Sequence, residues 1–163
     1  MSVEKLILKD MINNLMIFKY QDDGIYTVTV KVTDDDFGFG TDTVTTTVNN
    51  LAPSVGSISS INPVLPGVQI NVSAGFSDAG ILDTHTASWN WGDGNTTSGV
   101  VSESSGSGTA SGSHTYSSPG NYTITLTVND GLANGQNSIS VTILTPSQAT
   151  NNLVSLVESF NLQ

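Results

Sequence analysis

The sequence predicts an all-β protein built around an antiparallel β-sandwich, and three observations support this fold class. Short runs of Val, Ile, Thr and Tyr alternate apolar with polar residues, as strands with one buried face do. Gly, Asn and Asp separate these runs at short intervals, which is typical of turns between antiparallel strands. The chain has no cysteine, so the sandwich depends on its core and its hydrogen-bonded ladders.

The first sixteen residues are ambiguous. Their apolar positions, among them Leu6, Ile7 and Leu15, fit a short amphipathic helix about as well as a strand. Charged residues interrupt these positions and no small-residue cleavage site follows, so the pattern does not favour a signal peptide. No run of 18 or more apolar residues occurs, so no transmembrane helix is predicted.

A first hairpin follows this segment. Residues 26–32 alternate strictly, which predicts a strand with Tyr26, Val28, Val30 and Val32 turned inward. Residues 34–38 predict a turn, and residues 41–48 predict a second strand of Thr and Val. The edge of this second strand is a candidate for pairing with another chain.

The hairpin recurs 96 residues later in the sequence. The corresponding pairs are Tyr20 and Tyr116, Gly24 and Gly120, Tyr26 and Tyr122, and Asp34 and Asp130. The first copy lacks a front half, so residues 17–50 are predicted to be the back half of a truncated module. A lone hairpin is marginal in water, and its apolar face needs a cover. The candidates are residues 1–16, which we favour, the second module or another chain.

The second module is predicted to be a complete sandwich. We expect an edge strand at residues 55–59, a turn at 63–67 and a strand at 68–74 with Val68, Ile70, Val72 and Ala74 inward. A loop at 77–83 precedes a tryptophan strand at 86–91 and its partner at 95–101. The Ser/Gly-rich residues 102–112 predict a mobile loop. Strands at 113–116, 122–128 and 137–144 complete the fold.

The predicted domains are residues 1–50, 52–145 and 146–163, with a linker at residues 49–53. The pattern after Pro146 changes to a helical period, with Ala149, Leu153, Leu156 and Phe160 on one face. Ser147 is the predicted N-cap. We interpret this helix as the start of a further segment.

The most specific motifs lie in the second module. Residues 89–94 read Trp-Asn-Trp-Gly-Asp-Gly, and His114-Thr115-Tyr116 and Pro119-Gly120-Asn121-Tyr122 follow in that order. Across roughly residues 52–144 the set resembles the PKD (polycystic kidney disease) domain, an immunoglobulin-like β-sandwich of extracellular proteins. The resemblance implies structural roles for Trp89, Trp91, Gly92, Asp93, Gly94, His114, Tyr116, Gly120 and Tyr122.

The resemblance also implies a function. Such modules act as non-catalytic spacers or adhesion units in larger cell-surface or secreted proteins, with other domains of the same parent, and surface proteins, as partners. The alternative is an accessory module of a secreted hydrolase that binds insoluble polysaccharide or protein fibres. That alternative requires an exposed aromatic patch, which Trp89 or Trp91 would supply if its ring were not in the core.

The charge distribution excludes two classes of partner. The net charge is −10, and the four lysines all lie within the first 31 residues. Nucleic acid is excluded because phosphate contacts need cationic side chains. Anionic lipid is excluded on the same grounds. Membrane insertion is not predicted, because no apolar run is long enough to span a bilayer.

Few residues are candidates for a catalytic or metal-binding site. His85 and His114, with Asp83 or Asp93, have the types needed for a metal or acid–base site. The resemblance instead implies a structural role for His114. Asp34, Asp35 and Asp36 are a speculative calcium site, although a solvated turn explains them more simply. No nucleophile or phosphate-binding motif occurs, so neither an enzyme nor a cofactor is predicted.

Overall fold

The structure is a computed structural model that describes residues 5–7 and 20–161. The chain divides into two units between Leu51 and Ala52. The first unit contains β1 (Lys5–Ile7), β2 (Gly24–Thr33) and β3 (Phe39–Val48). The second contains β4 (Ser54–Val55), β5 (Gln69–Ser77), β6 (Thr86–Asn90), β7 (Thr96–Ser98), β8 (Val100–Ser104), β9 (Ser107–Thr115), β10 (Gly120–Asn129), β11 (Asn134–Ile143) and α1 (Pro146–Asn161).

The first unit is a three-stranded sheet in the order β1-β2-β3. The predicted hairpin is present, with an unbroken antiparallel register from Gly24 opposite Val48 to Thr33 opposite Phe39. β1 pairs with β2 in parallel. Residues 5–7 therefore form a strand, and the helix that the sequence also allowed is wrong for them. The apolar pattern of this segment fits a helix or a strand, and the strand forms because the edge of β2 offers backbone hydrogen-bonding partners. Residues 8–16 lie outside the described part of the chain.

The apolar face of the first unit is only partly covered. Val28 and Val30 are half-buried, but Val32 is 63% exposed and Val44 is 61% exposed, so the inward placement predicted for Val32 is wrong. No described residue of this unit reaches full burial. A small sheet alone encloses little volume, which accounts for this exposure. The predicted cover, residues 1–16, lies mostly outside the described residues.

The second unit is a sandwich of two four-stranded sheets. One has the order β11-β10-β6-β7 and the other β4-β5-β9-β8. Alternate residues of the strands point into the space between the sheets, as the pleat requires. The largest fully buried side chains there are Trp89, Trp91, Tyr116, Ile70, Ile124, Leu126, Ile143, Val128 and Val141. The immunoglobulin-like sandwich expected from the sequence is confirmed.

Residues 102–112 are not a loop, and this prediction was wrong. They belong to the hairpin of β8 and β9, whose turn residues Ser105 and Gly106 have φ values of 50° and 72°. Two successive positive φ angles are typical of a type I′ turn, which suits the twist of the flanking strands. A Cβ at Gly112 would lie 2.7 Å from Cδ1 of Trp89. The small residues are therefore packing partners of large core side chains.

Three other predicted strands differ in their limits. β5 begins after Val68, which is 48% exposed, and extends to Ser77, so Phe76 rather than Val68 is a core residue. The predicted strand at residues 55–59 is reduced to β4 and an isolated bridge between Ser59 and Ser73. Likewise, the partner predicted at residues 95–101 is divided into β7 and β8 at Gly99.

The segment between β4 and β5 covers the outer edge of β11. Val64 forms a parallel bridge with Ile143, and the Val64 N–H donates to the Thr142 carbonyl at 3.0 Å. The Asn62 side chain accepts from Thr142 N at 3.0 Å and donates to Ser140 O at 3.5 Å. The Asn137 amide donates to the carbonyls of Val55 and Gly56. Side-chain amides thus satisfy backbone groups that an edge strand otherwise exposes.

The predicted C-terminal helix is present as α1, but its cap is Thr145 instead of Ser147. Thr145 Oγ1 accepts from Gln148 N, and Gln148 Oε1 accepts from Thr145 N at 2.8 Å. This reciprocal pair is a capping box, and Pro146 occupies the first helical position. Leu153 is 62% exposed. The side chains of Leu156 and Phe160 lie outside the described part. No helix in the described chain has the length and apolarity to span a membrane.

Candidate functional site

The motif residues form an aromatic column inside the second unit. We use this name for Trp89, Trp91, His114, Tyr116 and Tyr122. Successive ring centroids are 5.8 Å apart for Trp89 and Trp91, 4.8 Å for Trp91 and His114, 4.7 Å for His114 and Tyr116, and 4.3 Å for Tyr116 and Tyr122. Alternation along β6 and β9 brings these rings together, because residues two apart share a face. Offset stacks and edge contacts of this kind stabilise a core beyond their buried area.

Most polar atoms of the column have specific partners, while Trp89 Nε1 is buried with no hydrogen-bond partner among the described residues. The buried Tyr116 hydroxyl donates to the Trp91 carbonyl at 2.7 Å, and burial raises the pKa of Tyr116 to about 12. Trp91 Nε1 donates to Thr97 Oγ1 at 3.0 Å. His114 Nε2 lies 2.7 Å from Asp93 Oδ2. Burial alone would raise the pKa of Asp93, but hydrogen bonds from His114 and the Asn95 backbone hold it below its ordinary value. The bonds fix the turn to the strands.

The structure requires glycine at the motif positions for different reasons. Gly92 has a φ of +77°, and a Cβ there would lie 2.6 Å from the carbonyl oxygen of Thr123. Gly94 has a φ of +92° but open space around it. Gly120 begins β10 opposite Ile143, against the ring of Tyr122. Gly92 therefore allows the turn to approach β10 closely, whereas Gly94 serves only its backbone angle.

Both tryptophan rings are core residues, each 0% exposed. An aromatic platform for sugars is therefore not available at Trp89 or Trp91. The exposed aromatic rings among the described residues are Phe37, which is 87% exposed, and Phe39, which is 65% exposed. Both lie at the turn between β2 and β3, and Lys31 Nζ sits 4.1 Å above the Phe39 ring.

A second polar cluster lies at His85, immediately before β6. His85 Nδ1 is 2.6 Å from Glu103 Oε2, and His85 Nε2 is 3.1 Å from Asp78 Oδ2. The side chains of His85 and Asp78 are fully buried, and the backbone N–H of His85 also donates to Glu103 Oε1. Burial alone would lower the pKa of His85, but the two carboxylates raise it above its ordinary value. The cluster ties the loop before β6 to the β8–β9 hairpin.

This cluster was not predicted from the sequence, which suggested Asp83 or Asp93 as the acidic partner of the histidines. The two histidines bind different carboxylates, His85 those of Asp78 and Glu103, and His114 that of Asp93. Both ring nitrogens of His85 are engaged, so the ring has no position for a nucleophile or substrate. The only local signal was a histidine that alternates in phase with the buried Ala87 and Trp89.

Three carboxylates converge at the same end of the sandwich. Oxygen atoms of Asp78, Asp83 and Asp130 lie within 4.8 Å of one another. Clustered carboxylates suit a hard cation such as Ca²⁺. Asp130 Oδ1 also accepts from the N–H groups of Leu132 and Ala133, so the same side chain closes the β10–β11 turn.

The predicted calcium residues Asp34, Asp35 and Asp36 are exposed in the β2–β3 turn. Within the described part of the chain their carboxylates are not among those that converge. Asp34 instead closes the turn, because its N–H donates to the Gly38 carbonyl at 2.9 Å. In this turn the side chains of the three residues are exposed to solvent.

A wide groove crosses the outer face of the β5–β9 pair. Its volume is about 750 Å³, and seven of its twelve lining residues are serine or threonine, together with Asn71 and the apolar residues Ile61, Val72 and Val100. Asn71 faces Ser113 and Ser73 faces Ser111 across the two strands, and Thr97 of β7 also lines the groove. No charged residue lines this groove. Its chemistry suits a neutral ligand rich in hydrogen-bonding groups.

Comparison with known proteins agrees with this arrangement. The description of the matching family is "PKD domain", and the match covers residues 50–143. The chain belongs to the PKD domain family. A similar solved structure is the PKD domain of an M14-like peptidase from Thermoplasmatales archaeon SCGC AB-540-F20, with a TM-score of 0.52 and 23% sequence identity. The alignment covers 60% of this chain and 100% of that PKD domain, and it shows the same fold. Among curated proteins, none matches the chain.

Proposed function

We propose that this chain is a non-catalytic, extracellular PKD module that acts as a spacer or adhesion unit in a larger cell-surface or secreted protein. Its partners are then the other domains of that protein and the surfaces they contact. One observation carries the proposal: the chain enters and leaves the sandwich at opposite ends. Other features support it, because the histidines and their carboxylates are engaged in structural bonds.

The entry and exit points are defined by β11. Asn137, near the start of β11, bonds the carbonyls of Val55 and Gly56, just after the chain enters the unit. The exit follows Ile143 at the other end of β11. Gly135 lies against the backbone of Pro53, where the chain enters the unit. Eight residue steps separate Gly135 from Ile143, which corresponds to about 27 Å along an antiparallel strand. A module with this geometry adds its own length to a chain of domains.

The same geometry predicts mechanical resistance. The segment that contains Val55, Asn62 and Val64 runs along β11 in the same direction. Pulling the two ends apart therefore shears this interface along its length, so several hydrogen bonds must break together. The cross-links from Asn62 and Asn137 belong to that interface.

The test is force spectroscopy of the full chain held at both ends. Replacing Asn62 and Asn137 together by Ala is expected to lower the unfolding force of the second unit. Gln136→Ala is the matched control, because Gln136 bonds Thr127 on the outer sheet face and not the 54–64 segment. An unfolding force that is the same in the double variant, the control and the wild type would contradict a load-carrying role.

The alternative is an accessory module that binds insoluble polysaccharide or protein fibres, and the hydroxyl-lined groove favours it. A pull-down on cellulose, chitin and collagen tests this function. Retention that Ser111→Tyr removes, while Ser140→Tyr on the exposed face of β11 does not, would favour binding in the groove. No retention on any matrix would reject the alternative and leave the spacer proposal standing.

A further inference from the structure

The two outer faces of the sandwich differ in how their polar side chains are engaged. On the β10–β11 face, side chains that lie directly opposite each other on the two strands form hydrogen bonds. These pairs are Thr125 and Ser138 at 3.0 Å, Thr127 and Gln136 at 3.0 Å, and Asn121 and Thr142 at 2.9 Å. The polar groups of this face therefore bond one another across the strands.

The β5–β9 face, which carries the hydroxyl-lined groove, has opposed polar pairs that do not bond each other. Asn71 faces Ser113 and Ser73 faces Ser111. Within the described part of the chain, none of these four side chains has a hydrogen-bond partner. A hydroxyl offers one donor and two acceptor positions, and a side-chain amide offers two of each. These groups are therefore able to bond a ligand in the groove.

The walls of the groove recess its centre. Ser73 and Ser111 are half-buried although they lie on the outer face. Val100 pairs with Ser111 on one side. Ile61 lies on the other side, close after the bridge between Ser59 and Ser73. Val100 is 71% exposed and Ile61 is 64% exposed, so both walls present apolar surface. The volume of about 750 Å³ lies within the range of roughly 300–1,000 Å³ for small-molecule sites.

The core fixes the floor of the groove at Gly112. A Cβ on this residue would lie 2.8 Å from Nε1 of Trp89, so the floor here is bare backbone above the indole edge. Trp89 is 0% exposed, and its Nε1 has no hydrogen-bond partner among the described residues. The partial positive charge of this N–H, in a low-dielectric interior, favours an electron-rich atom such as a hydroxyl oxygen over the floor.

Charge and strand pairing select the class of ligand. No charged residue lines the groove, and the chain has no Lys or Arg after Lys31. An anionic polymer finds no cation there and meets a net charge of −10, while a cationic polymer finds no carboxylate. An extended polypeptide binds by pairing with a strand edge, but β5 and β9 already pair with each other at nine positions beneath the groove. These features favour a neutral ligand that bonds through hydroxyl groups.

We propose that the groove binds a single chain of a neutral polysaccharide. The four polar side chains of the opposed pairs exchange hydrogen bonds with the sugar hydroxyls, and the walls at Ile61 and Val100 contact the C–H faces of the rings. No aromatic residue lines the groove, so it lacks a platform for stacking on a flat crystalline surface. This inference rests on the accessory binding function proposed above and names the ligand class of that function.

The experiment is an NMR titration of the ¹⁵N-labelled full chain with soluble neutral oligosaccharides of the cellulose, xylan, mannan and chitin types. At least one of them is expected to shift the amide signals of residues 71–73 and 111–113. A few hydrogen bonds without aromatic stacking give a Kd on the order of 1 mM. Binding should not change between low and high NaCl, because the contact involves no charged group. Alginate and heparin fragments, which are anionic, should not shift these signals.

Ser73→Ala combined with Ser111→Ala removes the central hydroxyl pair without filling the groove, and it is expected to raise the Kd about tenfold. The matched control is Thr125→Ala combined with Ser138→Ala, which removes a directly opposed hydroxyl pair from the other outer face. The control should keep the wild-type Kd. Tryptophan fluorescence in urea checks that both double variants fold, because both tryptophans lie in the core of this unit.

Three results would overturn the proposal: shifts confined to another surface, equal Kd values in the groove variant and the control, or binding of the anionic fragments in place of the neutral ones. Retention on collagen in the pull-down, with no neutral oligosaccharide bound, would reject the polysaccharide and leave the accessory function standing. No bound oligosaccharide and no retention on any matrix would reject both.

Discussion

The Tyr116 hydroxyl donates a 2.7 Å hydrogen bond to the carbonyl oxygen of Trp91, and both side chains are buried. The bond joins β9 to the turn after β6, 25 residues earlier in the chain. It therefore connects the two sheets of the sandwich at the centre of the aromatic column. Removing one partner of a buried bond leaves the other unsatisfied, which gives a first quantitative prediction.

Tyr116→Phe is expected to lower the free energy of unfolding of the second unit by about 1–3 kcal/mol, because the Trp91 carbonyl loses its donor inside the core. Urea unfolding followed by tryptophan fluorescence measures this unit alone, since both tryptophans belong to it. Tyr122→Phe is the control, because its hydroxyl bonds the Ser118 carbonyl at the surface. Equal losses in the two variants would contradict the assigned role of the buried bond.

Gly92→Ala is expected to destabilise the second unit more than Gly94→Ala. Both glycines have positive φ, so each alanine carries backbone strain of about 1 kcal/mol or more. At Gly92 the added Cβ would also meet the Thr123 carbonyl at 2.6 Å, while at Gly94 it meets nothing within 4 Å. The difference between the two urea midpoints measures the clash. A smaller loss at Gly92 than at Gly94 would be inconsistent with the close approach to β10.

The stability of the second unit should depend on the protonation of His85. Its pKa in the folded state is raised, so the stabilisation is fully present below the unfolded pKa of about 6.5. It is lost as pH rises through the folded pKa, where the ring between Asp78 and Glu103 loses its proton. Asp83 and Asp130 lie close to Asp78 and add negative charge there.

Urea unfolding at several pH values from 6 to about 9 checks this dependence, below the range where tyrosine ionises. The unfolding free energy of the wild type should fall with pH across this window. His85→Gln cannot gain a proton, so its curve should be flatter. A wild-type curve as flat as that of the variant would show that the cluster does not favour the charged ring.

Thr145→Val is expected to destabilise α1 by about 0.5–2 kcal/mol, because the side-chain acceptor for Gln148 N is lost. The helical signal in circular dichroism should decrease and melt at lower temperature. Ser147→Ala is the control, because Ser147 was the cap expected from sequence, and Thr145 holds that role in the structure. A greater loss of helix stability in Ser147→Ala than in Thr145→Val would identify Ser147 as the N-cap of α1.

Much of the fold could be predicted because strands and turns leave local patterns. The alternation in residues 26–32 and 122–128 indicated the two long strands, and the offset of 96 residues predicted two equivalent hairpins. The structure has both, with ten paired positions each. The motif around Trp89, Trp91, His114 and Tyr116 indicated the PKD sandwich. These features can be predicted from the sequence, because the side-chain period of a strand depends only on its own residues.

Tertiary structure alone decided the features that depend on distant partners. Residues 102–112 resemble a flexible loop by composition, but they form a hairpin. In it Gly108 packs against Phe76, Gly112 packs against Trp89, and Ala110 is buried opposite Ala74. His85 acquires its partners Asp78 and Glu103 only when the loop before β6 meets the β8–β9 hairpin. The amino-acid sequence thus determined the two long repeated hairpins and the family to which the sandwich belongs. Packing decided which small residues are buried and which carboxylates pair with each histidine, because those outcomes depend on groups brought together from far along the chain.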